Sequence, residues 1–438
     1  MTALAPTPTL PTPATPTTPP ALKSTQGSTQ PAKPDTADAL PTTNHRPLLV
    51  ALFAAGLVTF AQIYAPQTVL PHIAASLSIT FAQAGLIISA GTLGLAAGVI
   101  PWVLAAPRIG WRLSLTIALI LGTGISALSV LAPTLPLFLA ARFVAGVALA
   151  AVPALALAQA NALLPPHRAA HGAGVFIAGN AVGGVVGRLV SGVVTAQWSW
   201  QVGVLSVAAI CAGGTAVFLL WAPRNADASH SHSVRLFAVA LASPTVRRLC
   251  VQGFLVMGVF VTFYNYIGFR LTDAPLNVSH TAVAWMFSVF AVGTVASMGA
   301  SRLTTRLSRG AVVAVASGVS LVGLALSVVP HVAALLVALI LVTVGFFGAQ
   351  SIIAGWASSA LPQARRHSAA LYTIAYYAGG SIVGWGGGIA FAELGWGAVV
   401  ALTAVCAAAS IGIALTMRGT AGMQHPDCPA KKPNQTAP

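Results

Sequence analysis

Long apolar runs, each about the length of a membrane crossing, follow one another along this chain with only short polar turns between them. No charged residue occurs between Arg46 and Arg108, which leaves room for two crossings. Similar uncharged stretches run over 113–141, 189–223, 250–269 and 310–364. A helix needs about 20 apolar residues to span the hydrocarbon. The pattern predicts an all-α membrane protein of twelve transmembrane helices. They fall at 48–70, 80–105, 113–131, 135–162, 170–194, 201–222, 249–269, 281–301, 310–329, 332–356, 367–392 and 396–416. Outward turns are expected at Pro71-His72, Ala132–Pro136 and Pro330-His331.

The longest internal polar stretch, 222–245, separates six spans from six. The expected organisation is a Thr/Pro-rich disordered tail over 1–46, an N-terminal six-helix bundle over 47–222, and a linker over 223–248. A C-terminal six-helix bundle over 249–417 and a disordered tail over 418–438 complete it. The start lacks the basic-then-apolar order of a signal peptide.

The two halves repeat one another. Leu164-Pro165-Pro166-His167-Arg168 returns as Leu361-Pro362-Gln363-Ala364-Arg365, and Gly179, Gly183 and Gly187 return as Gly380, Gly384 and Gly388. The basic run Pro107-Arg108-Ile109-Gly110-Trp111-Arg112 has a degenerate counterpart in Thr305-Arg306-Leu307-Ser308-Arg309. Order and offset are kept, which implies two pseudo-symmetric six-helix bundles. In transporters the axis relating such halves usually passes through the substrate site.

Composition strengthens the membrane reading. Hydrophobic residues make up 56% of the chain and charged residues 6%, against roughly 25% charged in soluble domains. The formal charge of +15 raises the question of nucleic acid, and the placement of the charges answers it. Of the 21 lysines and arginines, eighteen fall in segments assigned to one side. Arg270 alone lies among the opposite loops, and Arg142 and Arg188 lie inside predicted helices. This is the positive-inside pattern, so both termini are expected in the cytoplasm of a multi-pass cell-membrane protein. The basic charge faces anionic lipid, and no nucleic-acid partner is expected. Seven of the nine tryptophans stand near predicted interfaces, where indoles concentrate.

Several chemistries lack their residues. No lysine occurs between Lys33 and Lys431, which removes a phosphate-loop ATP site. Glu393 is the only glutamate, and the six acidic residues all lie in tails, loops or helix ends. His72, His280 and His331 sit at the outer interface. His230 and His232 in the linker lack a third metal ligand. Four cysteines in no metal or disulfide spacing add nothing. Neither an enzyme, a cofactor nor a metal site is expected.

Arg142 is an arginine in a span, and such residues normally face protein or water. It shares a helical side with Ala145, Gly146, Ala150 and Pro153. Two readings stand: a cation holding a substrate anion or ordering carbonyls during movement, and a structural arginine satisfied by carbonyls. Arg188, nearer the outer end of the fifth helix, is expected to reach the interface water. The glycines at 179, 183 and 187, and at 380, 384 and 388, lie along one side of their helices. They read as a contact along which the halves rock, the alternative being static packing. Cavity candidates are the polar residues within helices: Gln62, Tyr64, Gln67, Gln159, Tyr264, Asn265, Tyr266, Gln350, Tyr376 and Tyr377. Buried amides and phenols need partners, and a water-filled pathway would supply them.

Together these features resemble the major facilitator superfamily over about 47–417. Arg142 followed by Gly146 looks like its helix-four motif. Gly179-Asn180-Ala181-Val182-Gly183-Gly184 resembles its antiporter motif, with Asn180 where proline is usual. Arg108, Gly110 and Arg112, with Arg306 and Arg309, match its inner-loop motif, although Pro107 and Thr305 replace acids. The usual inner charge-pair latch is therefore weakened. Tyr64-Ala65-Pro66-Gln67 and the run 264–271 are similar to the YnfM-like branch of inner-membrane transporters, linked to acriflavine sensitivity. The resemblance implies alternating access by a monomer that takes a small-molecule substrate, exports amphipathic compounds and is coupled to protons. Absence of membrane carboxylates leaves open whether protons are coupled. Arg142 leaves open a second substrate class, a small organic anion taken up or exchanged. A non-transporting membrane scaffold is the alternative from another class.

Overall fold

The computed structural model describes residues 45–164, 166–223 and 235–417. The expected tails and the pair His230 and His232 lie outside these residues. Among the described residues the secondary structure is helical throughout, with no strand.

Eleven segments are long and apolar enough to cross a membrane: α1 (Arg46–Leu77), α2 (Phe81–Ile109), α3 (Trp111–Leu131), α4 (Leu135–Ala156), α5 (His171–Thr195), α6 (Trp200–Trp221), α7 (Pro244–Thr272), α8 (His280–Leu303), α9 (Arg309–Leu326), α10 (Val332–Ser359) and, last in the chain, Trp396–Thr416. The twelfth expected span is also a helix, α11 (Arg365–Leu394), of 30 residues. Its length suffices, but glycine, tyrosine and the Arg365-Arg366-His367 start make it less apolar than the other eleven. Trp396–Thr416 is then α12.

Local signals account for many boundaries. Thr80 and Gln83 form a reciprocal capping box that starts α2, and serine hydroxyls at 199, 243, 279 and 308 cap the next helices. Gly110, at φ +80°, makes the tight corner between α2 and α3, a backbone region that favours glycine. One expected turn is misplaced. Pro71 and His72 lie inside a helical segment, Leu70–Leu77, and the turn comes at Ser78, which is left-handed. Proline fits the first turn of a helix, and Pro71 occupies that position. Within the expected linker, Arg235–Ala242 forms a short helix and α7 begins at Pro244, ahead of the expected start at 249.

Three spans are interrupted. α1 tightens to a 3-10 turn over Ala65–Val69, α8 does the same over Phe287–Ala291, and the fourth span divides between Leu149 and Ala151. In transporters, substrate sites are typically formed where helices break within a span.

The packing order repeats. α1 lies on α5 and α6, as α7 lies on α11 and α12; α4 lies on α2 and α3, as α10 lies on α8 and α9. Across the halves α2 packs on α11, and α5 meets α8 chiefly through its first half, His280–Ala291. The α2–α11 seam runs the length of both helices. At one end Phe81 meets Phe269 and Phe391 edge-on at 4.9 and 5.1 Å. At the other, Val99 and Val103 pack with Ala370, Ile374 and Phe237 of the linker helix.

The glycine stripes separate into two kinds. A methyl at Gly179, Gly183 or Gly187 would overlap the carbonyls of Phe53, Leu57 and Ala61 on α1. These glycines therefore seat α5 on α1 within one half, which corrects the expectation of a contact between halves. The matching position in the second half is Gly379, against the Phe254 carbonyl of α7. Gly384 and Gly388 differ: beside Asn265 and Tyr266 of α7 in their own half, they also face Ser89 and Ala82 of α2 across the halves.

Candidate central site

Arg188 is fully buried, and so does not reach the interface water. The sequence reading failed there because distance along the helix permits snorkelling: Arg188 stands seven residues, about 10 Å, before the end of α5. Its face decides otherwise. Gly184, Ser191 and Thr195 share its side of α5, and all three are buried. That small, polar stripe is the signal by which the sequence could have pointed inward.

A hydrogen-bonded chain passes from Arg188 across both halves. Arg188 Nε donates to Gln67 Oε1 at 2.7 Å, and Gln67 Nε2 donates to Asn265 Oδ1 at 2.6 Å. Arg188 Nη1 donates to the Gly184 carbonyl at 2.9 Å. The guanidinium carbon lies 4.5 Å from the Tyr64 ring, 4.5 Å from Phe290 and 5.3 Å from Tyr264. α1, α5, α7 and α8 thus meet at one cation. Gln67 belongs to the 3-10 turn of α1 and Phe290 to that of α8, so the two interruptions of the helices fall at this centre.

Aromatic rings continue from it. Tyr264 hydrogen-bonds Thr343 of α10 at 2.6 Å and packs on Phe260, which stacks on Phe346 at 3.8 Å. Phe346 in turn meets Tyr376, which meets Tyr377. Of the expected cavity residues, this cluster gathers Tyr64, Gln67, Tyr264, Asn265, Tyr376 and Tyr377. Phe260, Phe290, Phe346 and Thr343 join it unforeseen, because in sequence they look like any apolar or small residue of a span.

The others lie elsewhere. Gln62 Nε2 donates to Thr123 of α3 at 2.6 Å, inside the first half. Tyr266 donates to the Gly384 carbonyl at 2.9 Å, beside the α2–α11 seam. Gln159 is buried and Gln350 half-buried. Arg142 is buried and donates to the carbonyls of Gln62 and Ile63 at 3.2 and 2.7 Å. Its guanidinium thus holds backbone just ahead of the α1 break. Asn180 lies against Gly56 of α1.

At the basic loops, Arg112 donates to the Leu219 carbonyl at the end of α6, 2.8 Å away. Arg108 reaches only the Leu104 carbonyl of its own helix. In the second half Arg309 lies over Trp356 at 5.9 Å, and Arg306 is exposed. Where the loop has no acid, a helix-terminal carbonyl and an indole face receive the cations, both favourable for a positive charge.

Titratable acid is scarce. Asp273 and Glu393 are the two acidic residues among those described, and both are exposed. No cluster of three metal-ligating side chains occurs among the described residues.

The Major Facilitator Superfamily profile matches residues 52–384. The chain belongs to that superfamily. The inner membrane transport protein YnfM of Escherichia coli (strain K12) is 30% identical over 369 residues, covering 82% of this chain and 88% of that protein. The MFS-type transporter YybF of Bacillus subtilis (strain 168) is 26% identical over 366 residues, 82% of this chain and 90% of that one. Among solved structures, a bacterial homologue of the human lysosomal transporter Spinster, inward-facing and occupied, superposes with a TM-score of 0.68 at 16% identity. It covers 86% of this chain and 97% of its own. The nucleoside transporter NupG gives 0.66 at 14%, covering 84% and 98%. As a superfamily member the chain is a multi-pass membrane transporter of small molecules and not an enzyme.

Proposed function

We propose that this superfamily member is a secondary transporter working by alternating access, and that the Arg188–Gln67–Asn265 centre with its aromatic surround is its substrate site. The observation that carries this is the buried hydrogen-bonded chain joining α5, α1 and α7 where α1 and α8 are interrupted. Polar side chains at mid-span are costly unless they serve a pathway or pair with one another. These do pair, and they pair across the two halves. When the six-helix halves rock, the Gln67–Asn265 bond must break and free both amides.

The rings from Phe260 to Tyr377 suit a solute with an aromatic or otherwise apolar body, which supports the export of small amphipathic compounds. Export also agrees with the resemblance to the YnfM-like branch. The chain works as a monomer with both termini in the cytoplasm. The uneven placement of lysine and arginine supports that orientation. Energy comes from a solute gradient. With Asp273 and Glu393 exposed, a coupled proton would travel on the substrate itself or through groups near the outer face such as His72.

The test follows the buried Asn265, 1% exposed in this state. In a chain whose native cysteines are replaced by alanine, Asn265→Cys is expected to react with a membrane-impermeant maleimide added to either face of a proteoliposome. Each face should gain reactivity in turn as the protein exchanges between states. Labelling from neither face, together with no flux of any solute in a broad screen, would leave a membrane scaffold instead.

A further inference from the structure

We infer that the substrate carries a single negative charge, an amphipathic organic monoanion such as an aromatic carboxylate, whose acid group seats on Arg188. This rests on the transport reading above and adds the charge of the cargo. The guanidinium is planar, permanently charged and offers five N–H donors. Nε and Nη1 have partners in Gln67 and Gly184. Nη2 is buried with no hydrogen-bond partner. A second donor, Asn265 Nδ2, is also buried and unpartnered, because the Asn265 oxygen is taken by Gln67. Two unused donors flank one Gln67 amide, which calls for an acceptor.

The charge balance gives the sign. Neither acidic residue among those described is buried, so no carboxylate of the site neutralises Arg188. The rings of Tyr64, Phe290 and Tyr264 stabilise a cation through their faces, but they offer no in-plane acceptor of the kind a carboxylate gives. A fixed positive charge in a water-poor centre repels a cationic drug and attracts an anion. The single charge follows from what else is present. Arg142 is committed to the Gln62 and Ile63 carbonyls, and no lysine occurs between Lys33 and Lys431. One cation matches one negative charge. The aromatic body follows from Phe260, Phe290 and Phe346 beside the site. This places the anion role on Arg188 and not on Arg142, and it opposes the cationic cargo implied by acriflavine.

The experiment uses three isosteric probes on the purified full chain: 1-naphthoate, 1-naphthamide and 1-naphthylmethylammonium. Binding is read by calorimetry in detergent, and flux by counterflow in liposomes. The anion is expected to bind roughly ten- to a hundredfold tighter than the amide, the range for a charge-assisted pair. Arg188→Gln is expected to bring that ratio to about one while amide binding persists. Arg188→Lys, which keeps the charge, is expected to retain an anion preference. Equal affinity for anion and amide in the unmodified protein, preference for the ammonium, or binding of none of the three overturns the inference. So does a ratio unchanged in Arg188→Gln. If both variants fail to fold, the unmodified ratio alone decides. Flux of the amide or ammonium without the anion would sink the charge assignment and leave the transporter reading intact.

Discussion

At the scale of single residues, Arg142 and Pro66 explain one another. A helical carbonyl at position 62 normally accepts from the amide of residue 66, and Pro66 has no N–H to give. The break in α1 therefore orphans backbone acceptors inside the membrane, and Arg142 supplies the missing donors to Gln62 and Ile63. Placing an arginine at mid-span costs about 2.5–3.5 kcal/mol on insertion scales. Two hydrogen bonds from a charged donor return roughly 1.5–3 kcal/mol each, so the pairing outweighs the cost. Arg142→Met is expected to lower stability by about 2–4 kcal/mol, seen as a drop in the thermal midpoint of detergent-purified protein. In a Pro66→Ala background the same substitution should cost less, because alanine at that position brings a backbone N–H that proline lacks. Equal losses in both backgrounds would refute the pairing. Both readings of Arg142 in the sequence allowed for carbonyl partners, and only the α1 backbone shows which carbonyls it holds. For Arg188 the letters favoured the interface, because position along a helix is easily counted. Which neighbours a helical face meets depends on the other eleven helices.

Among the elements, what was legible was length and apolarity. Expected span boundaries agree with the helices to within a few residues nearly everywhere, since hydrocarbon thickness and capping residues set them. In α1, Pro66 is a break signal present in the sequence that the span count passed over, whereas the interruption in α8 was not legible. The 3-10 turn Phe287–Ala291 contains no proline or glycine and depends on packing against α5. The glycine periodicity was readable as a close contact, while its partner was not, because a stripe does not say which helix it meets. The distinction is testable along α5. At Gly183 an added methyl overlaps the Leu57 carbonyl of α1, whereas at Gly174 it meets nothing within 4 Å. Gly183→Ala is expected to destabilise by roughly 1–3 kcal/mol, an overpacking cost. Gly174→Ala should instead gain up to about 1 kcal/mol of helix propensity. Equal thermal midpoints for the two variants would show that the α1–α5 contact yields easily and does not set the spacing within the half.

For the whole molecule, the asymmetry between the two seams bears on how the halves move. α5 meets α8 chiefly along the first half of α8, whereas α2 and α11 touch from Phe81 and Phe391 down to Val103 and Ala370. Two hydroxyls stand at the middle of that longer seam: Thr92 Oγ1 and Ser381 Oγ are 2.7 Å apart, one on each half. If α2 and α11 part along the whole seam during transport, the two hydroxyls at its middle must separate, and a bond between those positions would hold the halves together. Cysteine sulfurs standing where those two oxygens stand would be close enough to approach the roughly 2.05 Å of a disulfide bond. In a chain lacking Cys211, Cys250, Cys406 and Cys428, Thr92→Cys with Ser381→Cys is expected to cross-link on oxidation and to stop counterflow. Reduction should restore it, and each single substitution should leave flux near that of the cysteine-free chain. Binding at the Arg188 centre should persist in the oxidised form, because the cross-link leaves that network untouched. Full flux through an oxidised, cross-linked protein would mean that α2 and α11 stay together throughout the cycle. The seam would then be the hinge, and the opening would belong to α5 and α8.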